Sequence, residues 1–325
     1  MEHAEQSTQP TRAQRAELIL NLLQLDTAQQ EAFSSLGAGY EQLFAPGGKL
    51  PDGSPVPPEA YRRATIILGS PRPEQLRGNT ALRFLQARTA GVEQYMVPGV
   101  LPEGAVLRSA SGAYGHSVGE HMFAMLLALM KRLPAYRDRQ RAGSWTDLGP
   151  VKSVAGAKVL CIGTGDLGST FAGLCKALGA ETLGIRRDST RGAPGIDAMY
   201  GMQALDALLP QADVVTLMLP NSAETVHLID ARRLRLMKPD AILLNGGRGT
   251  AIDCAALAQA LSEGLLWGAG LDVTDPEPLP PEHPLWQEPR ALITPHTAGW
   301  DHLPDTAGRI AAIALKNLRD YLAQR

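Results

Sequence analysis

Three glycines at a fixed spacing, directly after an apolar run, constrain this chain more than any other feature. Lys158–Ile162 has the composition of a buried strand, Gly163-Thr164-Gly165-Asp166-Leu167-Gly168 follows at once, and Ser169–Leu178 has a helical pattern. In such a unit the first glycine makes the tight turn, the second lets a phosphate approach the backbone, and the third lets the helix pack on the strand. The sequence therefore predicts a dinucleotide site at this loop. A glycine turn without a ligand and a loop for S-adenosylmethionine are the alternatives.

Apolar runs alternate with helical patterns on both sides of this loop, which predicts an α/β fold with parallel sheets. The 325 residues suffice for about two domains. Helices are predicted over Thr27–Leu36 and Asp301–Ala323, and a buried helix over Ser117–Leu133 is predicted to connect the domains. The other predicted strands are Glu17–Leu25, Ala64–Leu68, Leu82–Ala87, Glu181–Ile185, Asp213–Leu219, Ala241–Asn245, Leu266–Asp272 and Ala291–Thr294.

Composition and charge argue against several classes of protein. The formal net charge is −2, so neither a nucleic-acid partner nor a membrane surface is expected. Cys161, Cys175 and Cys254 lack the spacing of a metal site, so we expect no metal and treat them as small buried hydrophobes. The polar first 16 residues lack the order of a signal peptide, and Met122–Met130 is far shorter than the roughly 20 residues of a spanning helix. A cytoplasmic protein with a loose N-terminus is therefore expected.

The strand after the glycine loop ends in Gly184-Ile185-Arg186-Arg187-Asp188-Ser189. An NAD enzyme usually has an acidic residue at this place, where it bonds the ribose 2′-hydroxyl. Arg186 and Arg187 would instead bind a 2′-phosphate through charge-assisted hydrogen bonds. We therefore expect NADP as the preferred cofactor. NAD, which the nearby Asp188 supports, and two solvated arginines without a cofactor role are the alternatives.

Three polar residues that suit one reaction follow later predicted strands: Arg248, Glu277 and His296. Because the carboxyl ends of the strands face the ligand crevice in a doubly wound sheet, these side chains can converge. Reduction of a ketone beside a carboxylate needs a proton donor, which histidine supplies, and a cation that holds the carboxylate, which arginine supplies. A glutamate on the second ring nitrogen would orient the histidine. Each residue alone is more often structural, but their order behind a dinucleotide loop predicts hydride transfer at a carbon next to a carboxylate.

Five segments share their order and spacing with one protein family. They are Gly163–Gly168, Leu219-Pro220-Asn221-Ser222, Asn245–Gly249, Gly270–Val273 with Glu277, and Thr294-Pro295-His296-Thr297-Ala298-Gly299. Together they resemble the D-isomer-specific 2-hydroxyacid dehydrogenase family from about Leu82 to the C-terminus, whereas the first 80 residues match loosely. The tract Gly184–Tyr200 is similar to the glyoxylate/hydroxypyruvate reductase branch, whose members often prefer NADPH.

This resemblance implies two Rossmann-like, doubly wound domains with a cleft between them. A flavodoxin-like, discontinuous substrate domain would comprise residues 1–115 and 297–325, and a dinucleotide-binding domain would comprise residues 116–296. The resemblance further implies a homodimer built around the helix that starts near Ser117. The implied substrate is a small 2-ketoacid or D-2-hydroxyacid such as glyoxylate or hydroxypyruvate.

The same resemblance implies roles for individual residues. His296 would be the acid/base, Glu277 its partner and Arg248 the substrate clamp, and the backbone of Ala90, Gly91 and Val92 would hold the substrate carboxylate. The cofactor would contact Gly163, Thr164, Gly165, Asp166, Leu167, Gly168, Arg186, Arg187, Ser189, Leu219, Pro220, Thr225, Asn245, Gly246, Asp272, His296 and Gly299.

Some features leave choices open. Gly246-Gly247 stand where many members of the family carry bulkier small residues such as Thr-Ala. A cofactor-sensing, corepressor-like protein of the same fold without turnover is a second candidate function. A methyltransferase is a third, although it leaves Arg248, Glu277 and His296 unexplained. The residues that select the substrate side chain are unassigned; the candidates are Arg72, Arg88, His116, Trp300 and His121, the last of which also fits a core histidine.

Overall fold

The computed structural model of the protein describes residues 17–300 and 303–325. Two compact units divide the chain: the first ends at Ala113 and resumes at Ala307, and the second runs from Tyr114 to Thr306. The predicted substrate domain resumes at residue 297, whereas the structure groups residues 297–300 with the second unit. They stay there because the N–H groups of Thr297 and Ala298 donate hydrogen bonds to Asp272.

The first unit is built on a five-stranded parallel sheet. Its elements are β1 (Leu18–Asn21), α1 (Thr27–Leu36), β2 (Glu41–Phe44), α2 (Pro58–Arg63), β3 (Ala64–Leu68), α3 (Pro73–Leu76), β4 (Phe84–Gln86), β5 (Val106–Arg108) and most of α10 (Pro304–Leu322). The strand order β2-β1-β3-β4-β5 is that of a flavodoxin-like fold. Helix α10 completes the unit: Tyr321 stacks on Phe84 with ring centroids 4.5 Å apart, and Asn317 Nδ2 donates to Gln86 Oε1 at 2.8 Å.

The second unit is built on a seven-stranded parallel sheet. Its strands are β6 (Lys158–Ile162), β7 (Glu181–Ile185), β8 (Ala198–Tyr200), β9 (Val214–Leu217), β10 (Ile242–Asn245), β11 (Gly268–Leu271) and β12 (Ala291–Ile293). Its helices are α4 (Gly115–Met130), α5 (Leu133–Arg141), α6 (Asp166–Ala177), α7 (Leu205–Leu208), α8 (Ala231–Leu236) and α9 (Cys254–Ser262). The strand order β12-β11-β10-β9-β6-β7-β8 reverses between β6 and β9, which is where doubly wound folds bind their ligands. The predicted α/β class, with a doubly wound parallel sheet in each unit, is confirmed.

The elements that the sequence marks most clearly are found where they are predicted. Strands β3, β6 and β7 cover the predicted residues, and they are almost wholly buried, as sheets covered on both faces require. Helix α1 also has its predicted bounds. Its first turn is fixed by a capping box, in which the Asp26 carboxylate accepts the N–H of Gln29 and the Gln29 side chain accepts the N–H of Asp26.

Several predicted bounds are wrong for local reasons. The strand predicted from Glu17 to Leu25 ends at Asn21, because Asn21 Oδ1 accepts the N–H of Leu23 and turns the chain. Helix α4 stops at Met130 instead of Leu133, since Arg132 takes a left-handed backbone conformation with φ +56° and a new helix follows. Helix α6 begins at Asp166, inside the glycine loop, and not at Ser169.

Helix α4 packs closely against α6. A Cβ atom at Gly119 would lie 2.8 Å from Thr170 Cγ2, and one at Gly115 would lie 2.4 Å from Asp166 Oδ1. Only glycine at these two places allows the approach. The helix that leads into the second unit is therefore fixed against the first turn of the glycine-loop helix.

All three cysteines are buried thiols, as the sequence predicts. Burial raises the pKa of Cys175 to about 12 and that of Cys161 further, so both remain protonated and pack as apolar groups. Within the described residues, no helix has the length and apolar character that crossing a bilayer would require.

Candidate active site

The glycine loop has the geometry that a bound phosphate requires. Gly163 has φ +93°, and a Cβ there would lie 2.5 Å from the Met218 carbonyl oxygen. A Cβ at Gly168 would lie 2.0 Å from the Gly163 carbonyl oxygen, so the first and third glycines are fixed by packing. A Cβ at Gly165 would meet no atom within 4 Å. Gly165 thus leaves open space at the N-terminus of α6, where N–H groups point outward and can receive an anion. The loop therefore fits a dinucleotide.

The arginine pair lies in the loop after β7. Arg186 is half-buried and its Nη1 donates to the carbonyl oxygens of Arg191 and Gly192, both at 3.3 Å, while Arg187 is exposed. The Thr190 hydroxyl donates to Asp188 Oδ1 at 2.6 Å and holds the pKa of Asp188 below its usual range. The Asp188 carboxylate is thus charged and engaged within its own loop, and two guanidinium groups stand beside it.

The segment after β10 is shaped to present Arg248. Asn245 is fully buried; its Nδ2 donates to the Arg248 carbonyl oxygen at 2.9 Å and its Oδ1 accepts the N–H of Gly247 at 3.1 Å. A Cβ at Gly247 would lie 2.6 Å from the Leu219 nitrogen, and one at Gly249 would lie 1.8 Å from the Thr274 carbonyl oxygen. The segment is therefore held between the ends of β9 and β11. Arg248 is half-buried, and its Nη1 donates to the Gly247 carbonyl oxygen at 2.9 Å.

His296 and Glu277 form a direct pair. His296 Nδ1 lies 2.6 Å from Glu277 Oε1, and both side chains are more than 40% exposed, at 46% and 42%. The bond fixes the ring so that Nε2 points away from Glu277. Because β10, β11 and β12 are adjacent and parallel, Arg248, Asp272 and His296 all follow the carboxyl ends of neighbouring strands. The structure thus brings the predicted glutamate and histidine together and places the predicted arginine at the same edge of the sheet.

Asp272 is the centre of the hydrogen-bond network that holds the histidine segment. Its side chain is 3% exposed. Its Oδ1 accepts the Thr294 hydroxyl at 2.6 Å and the N–H of Thr297 at 3.0 Å, and its Oδ2 accepts the N–H of Ala298 at 3.1 Å. Its carbonyl oxygen accepts the N–H of His296 at 2.7 Å. Hydrogen bonds to one buried carboxylate therefore fix the backbone on both sides of His296.

This network holds His296 in an unusual backbone conformation. His296 has φ +50°, in the left-handed region, which costs a non-glycine residue about 1–3 kcal/mol. Such a conformation persists only where its surroundings impose it. The strain is thus located at the residue for which a catalytic role is predicted.

The other predicted cofactor residues lie around the same edge. The Thr225 hydroxyl donates within its own loop, to the carbonyl oxygens of Pro220 and Ser222, and the buried Thr164 packs beside Met199. Leu219 and Pro220 follow β9, and Ser189 lies in the arginine loop; Gly299 lies beside Tyr114 and Val118. The side chains of Thr225, Asn245 and Asp272 therefore shape the loops of the site, and their contact with a cofactor stays a prediction.

The predicted substrate loop lies in the first unit, after the carboxyl end of β4. The Thr89 hydroxyl donates to the Gly91 carbonyl oxygen at 2.7 Å, and Val92 precedes a single 3₁₀ turn, Glu93–Tyr95. The Tyr95 hydroxyl, which is buried, donates to the Pro71 carbonyl oxygen at 2.7 Å and anchors that turn. The predicted role of Ala90, Gly91 and Val92 in binding a carboxylate stays a prediction.

Comparison with known proteins identifies the family. Residues 123–298 match the family described as D-isomer specific 2-hydroxyacid dehydrogenase, NAD binding domain. Glyoxylate/hydroxypyruvate reductase B of Escherichia fergusonii is 32% identical over 269 residues, which are 80% of this chain and 82% of that protein. The chain belongs to the D-isomer specific 2-hydroxyacid dehydrogenases. It is accordingly an NAD(P)-dependent oxidoreductase, as predicted.

Solved structures of this dehydrogenase family share the fold. A family protein from Aeromonas salmonicida is 31% identical, with a TM-score of 0.80 over 95% of this chain and 97% of that chain. A D-isomer specific 2-hydroxyacid dehydrogenase from Xanthobacter autotrophicus, solved with NADPH and MES, is 26% identical with a TM-score of 0.75 over 96% of each chain.

The weaker candidates of the dehydrogenase have local partners. Arg72 is the N-cap residue before α3, and the Arg88 N–H donates to Ser70 Oγ at 3.0 Å. His116 Nδ1 lies 3.0 Å from Asp305 Oδ2, and Trp300 is 55% exposed. His121 Nε2 lies 3.0 Å from Thr294 Oγ1, inside the Asp272 network. Across residues 17–300 and 303–325, no cluster of three or more histidine, cysteine or acidic side chains is arranged to hold a metal ion.

Two features of the dehydrogenase's site escape the sequence analysis. Thr294 carries no predicted role, although its hydroxyl joins Asp272 to His121. Gly247 and Gly249 are explained by packing against Leu219 and Thr274. A threonine directly before the Pro-His pair is the one sequence signal that could have pointed to this network.

Proposed function

We propose that the protein reduces a small 2-ketoacid such as glyoxylate or hydroxypyruvate, with NADPH as the preferred cofactor. The observation that carries the proposal is the 2.6 Å contact between His296 Nδ1 and Glu277 Oε1, at the sheet edge that also holds Arg248 and the glycine loop. An imidazole oriented by a carboxylate on one nitrogen can exchange a proton at the other. The name of the Escherichia fergusonii relative supports this substrate class.

The chain's own residues account for the proton and the charge. When bound, NADPH supplies the hydride. Glu277 accepts a hydrogen bond from Nδ1–H, which stays on the ring, and the protonated His296 donates its Nε2 proton to the carbonyl oxygen as that oxygen becomes a hydroxyl. The Arg248 guanidinium offers paired N–H donors to the substrate carboxylate and stabilises negative charge on the carbonyl oxygen. In the direction of oxidation, neutral Nε2 accepts the hydroxyl proton.

A panel of 2-ketoacids tests the proposed reaction. Oxidation of NADPH would be followed at 340 nm with glyoxylate, hydroxypyruvate, pyruvate and larger 2-ketoacids, and the panel would be repeated with NADH. We expect turnover with the two-carbon and three-carbon acids. Binding of NADPH without turnover on any acid would instead favour a cofactor sensor.

The cofactor preference can be tested at the arginine loop. We expect the double change Arg186→Ala and Arg187→Ala to weaken NADPH binding by about 10- to 100-fold, because two charge-assisted hydrogen bonds to the 2′-phosphate are lost. NADH lacks this phosphate, so its affinity should stay within about twofold. Arg235→Ala, an exposed arginine at the end of α8, is the control. Equal loss of both cofactors would contradict the assignment.

We also propose that the protein is a homodimer, and α5 supports this. None of the residues Leu133–Arg141 is buried, although a nine-residue helix has little stability by itself. Leu133 and Val151 are 54% and 49% exposed, and Trp145 between them is fully exposed. A second copy would cover these apolar groups. Sedimentation velocity should give twice 34.7 kDa for the wild type and a larger monomer fraction for Trp145→Ser. A wild-type monomer at all concentrations would contradict the dimer.

A further inference from the structure

His121 is the one histidine of α4 whose ring enters the network around Asp272. Its Nε2 lies 3.0 Å from Thr294 Oγ1 and 3.8 Å from Asp272 Oδ1, and its side chain is 27% exposed. A histidine on a mostly apolar helix usually has a structural role, in which its ring bonds to a nearby polar group of the core. Here the partner is a residue two positions before the predicted acid/base.

Counting hydrogens fixes the direction of these bonds. The Thr294 hydroxyl has one hydrogen, and the 2.6 Å bond to Asp272 Oδ1 uses it, since that carboxylate also accepts the N–H groups of Thr297 and Ala298. Thr294 Oγ1 must therefore accept from His121, whose Nε2 carries the donated hydrogen. A directional chain results, from the His121 ring through the Thr294 hydroxyl to the Asp272 carboxylate.

The residues that donate hydrogen bonds to the Asp272 carboxylate lie on both sides of His296 in the sequence. Thr294 lies two residues before it, and Thr297 and Ala298 follow it. The His296 N–H donates to the Asp272 and Thr294 carbonyl oxygens, at 2.7 and 3.0 Å. These contacts hold His296 at φ +50°. A change in the hydrogen bonds from His121 to Asp272 would therefore alter the direction of the His296 ring.

Helix α4 is held in place by close packing, so it can fix the position of the His121 ring. Gly115 and Gly119 fix it against α6, and Met122 lies against Gly246, where a Cβ would approach Met122 Cγ to 2.9 Å. Near its end, the Trp267 ring N–H donates to the Leu129 carbonyl oxygen at 3.0 Å. The same helix thus contacts the glycine-loop helix on one face and, through His121, the histidine segment on another.

We propose that His121 is a positioning residue that acts through Thr294 and Asp272 to fix the His296 ring. The inference rests on the proposed function, in which His296 exchanges the proton. The His121 ring contacts Thr294 and Asp272, so its effect on His296 is on geometry. Its loss should therefore lower kcat and leave cofactor affinity unchanged.

Three variants separate positioning from general stability. His121→Leu keeps the helix and an apolar side chain but removes the donor; we expect kcat to fall about tenfold, as a small misplacement of a reacting group produces. His121→Gln places an amide N–H near the former Nε2 and should restore most of the activity. Glu120→Gln, an exposed neighbour on the same helix, is the matched control. NADPH affinity should stay within about twofold in all three.

A double-variant cycle tests the route through the hydroxyl. Thr294→Val should lower kcat about as much as His121→Leu, and the two together should cost little more than either alone, since both break one chain. Full additivity would overturn the route through Thr294, and wild-type kcat in His121→Leu would overturn the proposal.

A readout without turnover keeps this test separate from the proposed function. The His296 ring hydrogen shared with Glu277 should give a downfield proton NMR signal, assigned by its absence in His296→Ala. We expect the signal to shift or broaden in His121→Leu and to return in His121→Gln. An unchanged signal in His121→Leu would overturn the positioning role even if no 2-ketoacid were turned over. If the wild type turned over no 2-ketoacid but the signal still changed in His121→Leu, the positioning role would be upheld and the proposed reaction would fail.

Discussion

Replacement of His296 by alanine should lower kcat for 2-ketoacid reduction by about 10²- to 10⁴-fold, the usual contribution of a positioned acid/base. The change removes the imidazole whose Nδ1 lies 2.6 Å from the Glu277 carboxylate. Because the ring is 46% exposed and supports little of the core, the fold should not suffer. Steady-state kinetics with saturating NADPH measure the effect.

Two measurements distinguish a loss of catalysis from a loss of cofactor binding or of folding. NADPH affinity and the melting temperature should remain close to those of the wild type. Glu277→Gln should be less severe than His296→Ala, because a neutral amide can still contact Nδ1 but no longer stabilises the charged ring. A His296→Ala enzyme with near-normal kcat would contradict the mechanism outright.

The second large effect is expected at Arg248. Arg248→Ala should lower kcat/KM by about 10²- to 10³-fold, the scale on which a preorganised donor to a developing oxyanion acts. Both the KM for the 2-ketoacid and kcat should change, since the guanidinium is proposed to hold the carboxylate and stabilise the carbonyl oxygen. Arg248→Lys should recover only part of the loss, because an ammonium lacks the planar pair of donors.

Arg235→Ala serves as the control for this experiment too, as it removes an exposed arginine from α8 in the same unit. A change confined to NADPH affinity in Arg248→Ala would move this residue from the substrate to the cofactor. Unchanged kinetics would remove it from the site.

The strands that the sequence reveals and those that it conceals differ in burial. Strands β3, β6 and β7 are continuous apolar runs, so their bounds could be predicted. Strands β2, β5 and β8 are each at the edge of a sheet, have three or four residues and are partly exposed. Nothing apolar and periodic distinguishes such segments from loops, because one side of each already faces solvent.

The break between α4 and α5 shows a second limit. The left-handed residue there is Arg132, whose type gives no warning of φ +56°. Pro134 in the first turn of α5 is a helix-start signal that marks the second helix. The apolar periodicity continues through Leu133 and hides the break.

Some residues of the candidate site can likewise be predicted from the sequence, and others cannot. Arg248, Glu277 and His296 can be predicted because residue type, order and position after strands carry their chemistry. The Asp272 network and the conformation of His296 arise from contacts between distant segments. His121 and Thr294, for example, are 173 residues apart, and no local pattern links them.

The division of the first unit between the two ends of the sequence sets an order of events during synthesis. Gln86 and its partner Asn317 are separated by 231 residues, which a ribosome adds in roughly 10 to 50 s. Throughout that interval Phe84 lacks the ring of Tyr321, while the contiguous second unit emerges whole. The unit that begins first in the nascent chain is thus the one that finishes last, after all of the second unit has been synthesised.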